Sequence, residues 1–115
     1  PRAFVADAAA RAVAAQAIDR GFDRRLTHDR RIFFYLPFEH SEDRDDQRRS
    51  AALFRQWAEE QTGPARDRAF AQLGYALRHQ EIIERFGRFP HRNRILGRDT
   101  TPAEAAFLTE PRSSF

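Results

Sequence analysis

Residues that start and stop helices recur along this chain, and they restrict it to the all-α class. The segment "HSEDRDDQRRSAALFRQWAEEQTG", residues 40–63, gives the clearest case. Ser41 is the predicted N-cap, and Glu42 and Asp43 follow where the helix dipole favours acidic side chains. Gly63-Pro64 is the predicted stop. The apolar residues of the segment recur at helical spacing, and they are Ala51, Phe54, Trp57 and Ala58.

Four further segments carry similar boundaries. The first spans about residues 7–20, with Asp7 as its N-cap and Gly21 just beyond its end. The others are residues 27–36, which Pro37 ends, residues 66–86, followed by Gly87, and a short helix from Thr101 with Pro102 and Glu104 in a capping box. Alone, "IFFYL" (32–36) could be a strand, but helical segments flank it. We therefore predict an all-α fold of about five helices in antiparallel pairs.

Composition narrows the class of protein. A chain of 115 residues fits one domain. All 20 basic residues are arginine and the net charge is only +3, so a nucleic-acid partner is not expected. The absence of cysteine excludes disulfides, thiolate metal sites and a cysteine nucleophile, and fits a cytoplasmic protein. The chain begins with Pro1 and Arg2 rather than methionine, which suggests a processed or truncated product.

No membrane attachment is predicted. The most apolar-looking segment, residues 3–18, is weakly hydrophobic alanine interrupted by Asp7 and Arg11. It also lacks the charged start, leucine-rich middle and cleavage site of a signal peptide.

Histidines and carboxylates form one group of candidate site residues. "PFEHSED" (37–43) contains Glu39, His40, Glu42 and Asp43, and further along lie His79 and His91. Such residues can bind a divalent metal or form an acid–base pair. However, their spacing matches no metal motif. The alternative is structural: helix-terminal charges for Glu42 and Asp43, and hydrogen bonds to the backbone after Pro37 for Glu39 and His40.

The stretch "RFGRFPHRNRILGR", residues 85–98, is the other candidate. It could hold an anion through its arginines, Arg88 and Arg92 above all, together with Asn93. It could also be a catalytic loop built on His91. As a structural corner it would bury Phe86 and Phe89, and Arg92 would pair with a buried carboxylate such as Glu39. We favour the corner.

Three stretches carry a family resemblance: "FFYLPFEHSEDRDDQRRSAALF", "YALRHQEIIERFGRFPHRNRILGR" and "TTPAEAAFL". They resemble the C-terminal portion of the uncharacterised bacterial domain-of-unknown-function family 924. The resemblance implies a tetratricopeptide-repeat-like, right-handed helical array without an established activity. It also implies that residues 1–115 are a single all-helical domain lacking the family's N-terminal helical region. The positions that match the family's motifs are Glu39, His40, Ser41, Glu42, Asp43, His79, Phe89, Pro90, His91, Arg92 and Asn93.

Two hypotheses for function follow. The favoured one is a scaffold or binding module without a cofactor or enzymatic activity, which binds a protein or peptide at a polar cleft around "PFEHSED" and "RFGRFPHRN". The alternative is an enzyme or small-ligand-binding protein that depends on an anion or a metal. Its candidate catalytic residues are Glu39, His40, His79 and His91, its anion contacts are Arg88, Arg92 and Asn93, and its weaker metal ligands are His40, Glu42, His79 and His91. No oligomeric state follows from the sequence.

Overall fold

The described residues form helices and connecting turns. A computed structural model describes residue 4 and residues 6–115, with residues 28 and 29 described by their backbone alone. The inference drawn from Pro1 and Arg2 therefore lies outside the described residues. These described residues contain six α-helices: α1 (Asp7–Asp19), α2 (His28–Glu39), α3 (Arg44–Glu59), α4 (Gly63–Phe86), α5 (Asn93–Leu96) and α6 (Pro102–Phe107). The prediction of an all-α fold with about five helices is confirmed, since α5 is a single additional turn.

Consecutive helices pack antiparallel. Gln47 near the start of α3 donates to backbone carbonyls at the end of α2, whereas Arg31 near the start of α2 pairs with Glu60 just after α3. Likewise, Arg48 early in α3 pairs with Glu84 late in α4, at 3.3 Å. These contacts fix the end of α2 beside the start of α3, which is where the polar residues of "PFEHSED" lie.

Helix α4 takes part in both halves of the core. Its first half supplies Ala69, Leu73 and Ala76 to a central cluster, whose other members come from α2 and α3: Tyr35, Phe54, Trp57 and Ala58. Its last turns supply Ile82 and Ile83 to a C-terminal cluster with Phe89 and Phe107. Burial of these apolar side chains holds the segment after α4 against the helix.

Several helix ends predicted from local residues are confirmed. Gly21 follows α1 and Gly87 follows α4, both with a positive φ (72° and 73°), a backbone conformation that glycine adopts without strain. Thr101 and Glu104 form the predicted capping box, with Pro102 in the first turn of α6.

Other predicted boundaries are wrong. Helix α2 continues through Pro37 to Glu39, because a proline so close to the helix end removes only one hydrogen bond and Phe38 gains a buried position. The N-cap of α3 is Asp43, which accepts from the Asp46 amide, so Glu42 lies outside the helix. Ser41 donates instead to Asp46. Gly63-Pro64 opens α4 instead of ending α3.

Among the described helices, none combines the length and the apolar character that crossing a lipid bilayer requires.

Candidate functional site

The site lies where the end of α2 meets the turn that follows α4. Gly87 ends α4 in a left-handed conformation, and the buried residues Phe89 and Pro90 turn the chain back toward the start of α3. The carboxylate of Glu42 accepts a hydrogen bond from the Phe89 amide at 2.6 Å. As a result, "PFEHSED" and "RFGRFPHRN" lie against each other, although 47 positions separate the two residues that make this bond.

Arg98 stabilises the junction, by which we mean the contact between the end of α2 and the turn that follows α4. Its two terminal nitrogens donate to the two carboxylate oxygens of Glu42, at 2.8 and 3.1 Å. It also donates to the Phe89 carbonyl and to the side-chain oxygen of Asn93. Burial alone would raise the pKa of Glu42, but the hydrogen bonds from Arg98 and the Phe89 amide hold it below its ordinary value. Glu42, a predicted metal candidate, is therefore an ion-pair partner.

Two predicted anion contacts already have partners within the chain. Arg88 donates two hydrogen bonds to the buried carboxylate of Glu104, at 2.7 and 2.8 Å, and a third to the Asp99 carbonyl. Asn93 is buried and donates to Thr100 while it accepts from Arg98. Within the chain, Arg88 and Asn93 therefore have structural roles, and their contact with an anion stays a prediction.

Arg92 differs from its neighbours. It does not reach Glu39, so the predicted pairing with that carboxylate is wrong: Glu39 still belongs to α2 and lies beside α4. The guanidinium of Arg92 donates to the His40 carbonyl at 2.8 Å and lies over the rings of Phe4 and Phe89. Among the described residues, no carboxylate forms an ion pair with it.

Three of the predicted site residues form one cluster. Glu39 lies 3.6 Å from Nε2 of His40 and 3.8 Å from Nδ1 of His79. One possible ligand atom from each of the three lies within 4.8 Å of those of the others. His91 is not a member, but Phe115 lies between it and His79, with ring centroids 5.8 and 3.8 Å away, respectively.

Burial sets the charges of this cluster. Glu39 is 4% exposed, and burial raises its pKa to about 7. Among the described residues, no donor reaches its Oε1 atom. Burial lowers the pKa of His79 to about 4, and burial and the charge of Arg92 lower that of His40. Both rings are therefore neutral at pH 7 and present one donor and one acceptor nitrogen each.

A pocket of about 300 Å³ opens beside the cluster. Its lining combines three histidines, one arginine and apolar side chains: His40, His79, His91, Arg92, Phe4, Phe89, Ile95 and Phe115. A second pocket, of about 320 Å³, shares Phe4, His40 and Arg92 with it and continues toward Asp7 and Arg11 on α1. The two pockets lie beside "PFEHSED" and "RFGRFPHRN", and their walls are partly aromatic.

Sequence reasoning missed several members of the site. Arg98 was one arginine among five in its stretch, and no local pattern distinguished it as the partner of Glu42. Phe4 and Phe115 lie near opposite ends of the chain and carry no motif. Glu39 and His79 were predicted together as site residues from their chemistry, but a separation of 40 positions in the sequence gave no measure of the distance between them.

The fold and the site together define an all-helical protein with a histidine- and arginine-lined pocket. A family model described as "Bacterial protein of unknown function (DUF924)" matches residues 1–112, and the chain belongs to this family. It is also similar to a solved structure of a protein of unknown function from Agrobacterium tumefaciens. The identity is 44%, the TM-score is 0.78, and the match covers 91% of this chain and 53% of the other, so this chain spans about half that protein's length. A comparison with curated proteins gave no match.

Proposed function

We propose that the pocket binds a small organic anion, such as an aromatic carboxylate or phosphate ester. The observation that carries this proposal is Arg92, a half-buried guanidinium on the pocket wall that lacks an ionic partner among the described residues. Arg88 and Arg98, by contrast, already hold carboxylates of the chain, Glu104 and Glu42.

The charge of the lining supports an anion. None of its residues is acidic, and Arg92 keeps its proton at neutral pH even though burial lowers its pKa. A guanidinium in this position can donate two parallel hydrogen bonds to a carboxylate or phosphate. The neutral rings of His40 and His91 can add hydrogen bonds without contributing charge.

The size and the apolar part of the pocket indicate the kind of anion. A volume of about 300 Å³ is at the lower end of the range for small-molecule sites. Phe89, Ile95 and Phe115 supply apolar surface in the same lining, and Phe89 lies directly beneath the guanidinium. The pocket therefore fits a ligand with one anionic group and one ring better than a bare inorganic ion.

The test is calorimetric titration with phenyl phosphate in buffer that contains EDTA. Because a hydrogen-bonded charge pair would be lost, Arg92→Gln should weaken binding about tenfold or more. The matched control is Arg94→Gln, which changes an exposed arginine two positions away. Benzyl alcohol, which keeps the ring and lacks the charge, should bind weakly. Equal affinities in Arg92→Gln and the parent protein would overturn the proposal.

A second candidate, the predicted protein- or peptide-binding module, is favoured by a different surface. An apolar groove of about 450 Å³ runs between α1 and α2, where Val13 and Phe33 are 65% and 66% exposed. Such a groove suits the apolar side of an amphipathic peptide helix, and the predicted tetratricopeptide-repeat-like array belongs to this hypothesis.

Selection from a random peptide library should yield binders with apolar residues at helical spacing, and Phe33→Asp should abolish their binding. Binders that are insensitive to Phe33→Asp would exclude this groove.

A further inference from the structure

We propose that Glu39, His40 and His79 bind a divalent transition-metal ion of the zinc class at the wall of the pocket. The inference extends the proposed function, because the free coordination positions of such an ion would face the pocket where the organic anion binds. The metal would then be a second contact for the anion, opposite the guanidinium of Arg92.

The distances suit a shared ion. In a tetrahedral zinc site with bonds of about 2.0–2.2 Å, the ligand atoms lie about 3.4 Å apart. The carboxylate of Glu39 is 3.6 Å from Nε2 of His40, and one possible ligand atom of each of the three residues lies within 4.8 Å of those of the others. The side chain of His40 is half exposed, so it can turn by the small amount that a bond to the ion requires.

The unpaired oxygen of Glu39 is independent evidence for a ligand. The side chain is 5% exposed and belongs to a helix end, yet among the described residues no donor reaches Oε1. A buried acceptor without a partner is destabilising, and such groups in native structures usually have a partner such as a water or an ion. A cation between Glu39 and the two histidines would supply that partner.

The ring of His79 is held as metal-binding histidines commonly are. Its Nδ1 lies 2.7 Å from the carbonyl oxygen of Tyr75, which can only accept, so a neutral ring carries its proton there. The lone pair is then on Nε2. A hydrogen bond from one ring nitrogen to a backbone carbonyl fixes the tautomer and the orientation of a ligating histidine. Phe115 stacks on the same ring and restrains it further.

The ligand set indicates the class of metal. Two imidazoles and one carboxylate are the protein ligands of many zinc sites that keep an open coordination position. The same ligands also suit other divalent transition metals. Calcium and magnesium prefer oxygen ligands alone. Arg92 is hydrogen-bonded to the backbone of His40 and would repel a cation. Binding of metal alone should therefore be moderate, and it should tighten when an anion neutralises Arg92.

The experiment is a titration of metal-stripped, full-length protein with Zn²⁺, followed by calorimetry, and with Co²⁺, followed by its visible absorption. We expect one ion per chain with a dissociation constant of about 1–10 µM. Glu39→Gln and His40→Gln should each weaken binding about tenfold or more. Glu59→Gln is the matched control for Glu39→Gln, since Glu59 is an exposed carboxylate at the last position of α3, outside the cluster. Phenyl phosphate should strengthen Zn²⁺ binding in the parent protein.

Folding and metal binding can be separated in these variants. Glu39 is buried, so thermal melts should accompany Glu39→Gln, whereas His40 is half exposed and its substitution leaves the core intact. No Zn²⁺ binding at about 100 µM, or equal affinities in the parent protein and His40→Gln, would overturn the metal site. Binding of phenyl phosphate that depends on Arg92 in EDTA would survive that result, so the two proposals can fail separately.

Discussion

Arg98 has the largest set of hydrogen bonds of any residue at the junction. It donates to Glu42, to the Phe89 carbonyl and to Asn93. Lysine keeps the charge but cannot reproduce a planar fork with several fixed donors. We expect Arg98→Lys to lower the free energy of unfolding by about 2 kcal/mol, measured by urea denaturation. Arg94→Lys, an exposed change in the same short segment, should have almost no effect, and equal losses in both variants would contradict the role given to Arg98.

Glu104 makes the stability of the fold depend on pH in the acid range. Hydrogen bonds from Arg88 are the largest cause that lowers its pKa, to about 2, from an ordinary value of 4.5. A carboxylate whose pKa is lower in the folded state than in the unfolded state stabilises the fold above the unfolded pKa. This contribution is lost as the pH falls from about 4.5 to about 2.

The check is a series of thermal melts from pH 6 down to about pH 2. The parent protein should lose stability steadily as the pH falls. Glu104→Gln should be less stable than the parent at pH 6, but its stability should depend less on pH below about 4.5, where the carboxylate of Glu104 in the unfolded parent chain takes up a proton. Glu110→Gln changes an exposed carboxylate close by and should retain the slope of the parent protein. If Glu104→Gln kept the full slope, other carboxylates would be responsible for it.

The sequence identified which residue types form the site, but it did not identify which of these residues contact one another. The sequence supplied Glu39, His40, His79, His91 and Arg92 as candidates because histidines, carboxylates and arginines can do chemistry. Which of them meet is decided by where α2 ends and how far the turn after Gly87 reaches, and these depend on packing. The pairing expected between Arg92 and Glu39 failed for this reason.

Helix ends illustrate which local residues are decisive. The capping box of Thr101 and the glycines after α1 and α4 act through backbone geometry alone, so the sequence predicted them correctly. The helix end predicted at Pro37 and the N-cap predicted at Ser41 were wrong because packing outweighed the local preference of these residues. Phe38 gains a buried position by continuing α2, and the chain must pass Ser41 and Glu42 before α3 begins at Arg44.

A glycine inside α4 and the glycine just beyond its end should respond oppositely to alanine. Gly87 has a φ of 73° just beyond the helix, so Gly87→Ala should destabilise the fold by about 1 kcal/mol. Gly74 lies in the helix interior with open space where a Cβ would be, so Gly74→Ala should stabilise it by about 0.5–1 kcal/mol. Urea denaturation of both variants measures the signs. Two changes of the same sign would contradict the boundary of α4 at Phe86.

At the scale of the whole molecule, two core clusters divide the structure into two regions, and we expect these regions to differ in stability. The central cluster joins α2, α3 and the first half of α4, whereas the C-terminal cluster holds the turn with Phe89 and the short helix α6 against the last turns of α4. A region held by few buried side chains can open while the remainder stays folded. His91 and Arg92 are carried by that C-terminal region, so the pocket depends on the smaller cluster.

Alanine at one phenylalanine of each cluster tests this division by hydrogen exchange. Phe107→Ala should increase exchange mainly in residues 88–112 and the end of α4, while α2 and α3 stay protected. Phe54→Ala should increase exchange in α2, α3 and α4 together, since each substitution removes about 3 kcal/mol or more of packing. Phenyl phosphate should bind Phe107→Ala weakly even at temperatures where its central helices remain folded, because Arg92 is no longer held at the pocket wall. If both variants opened the same segments to the same extent, the clusters would unfold as one unit, and loss of binding would report only loss of the fold.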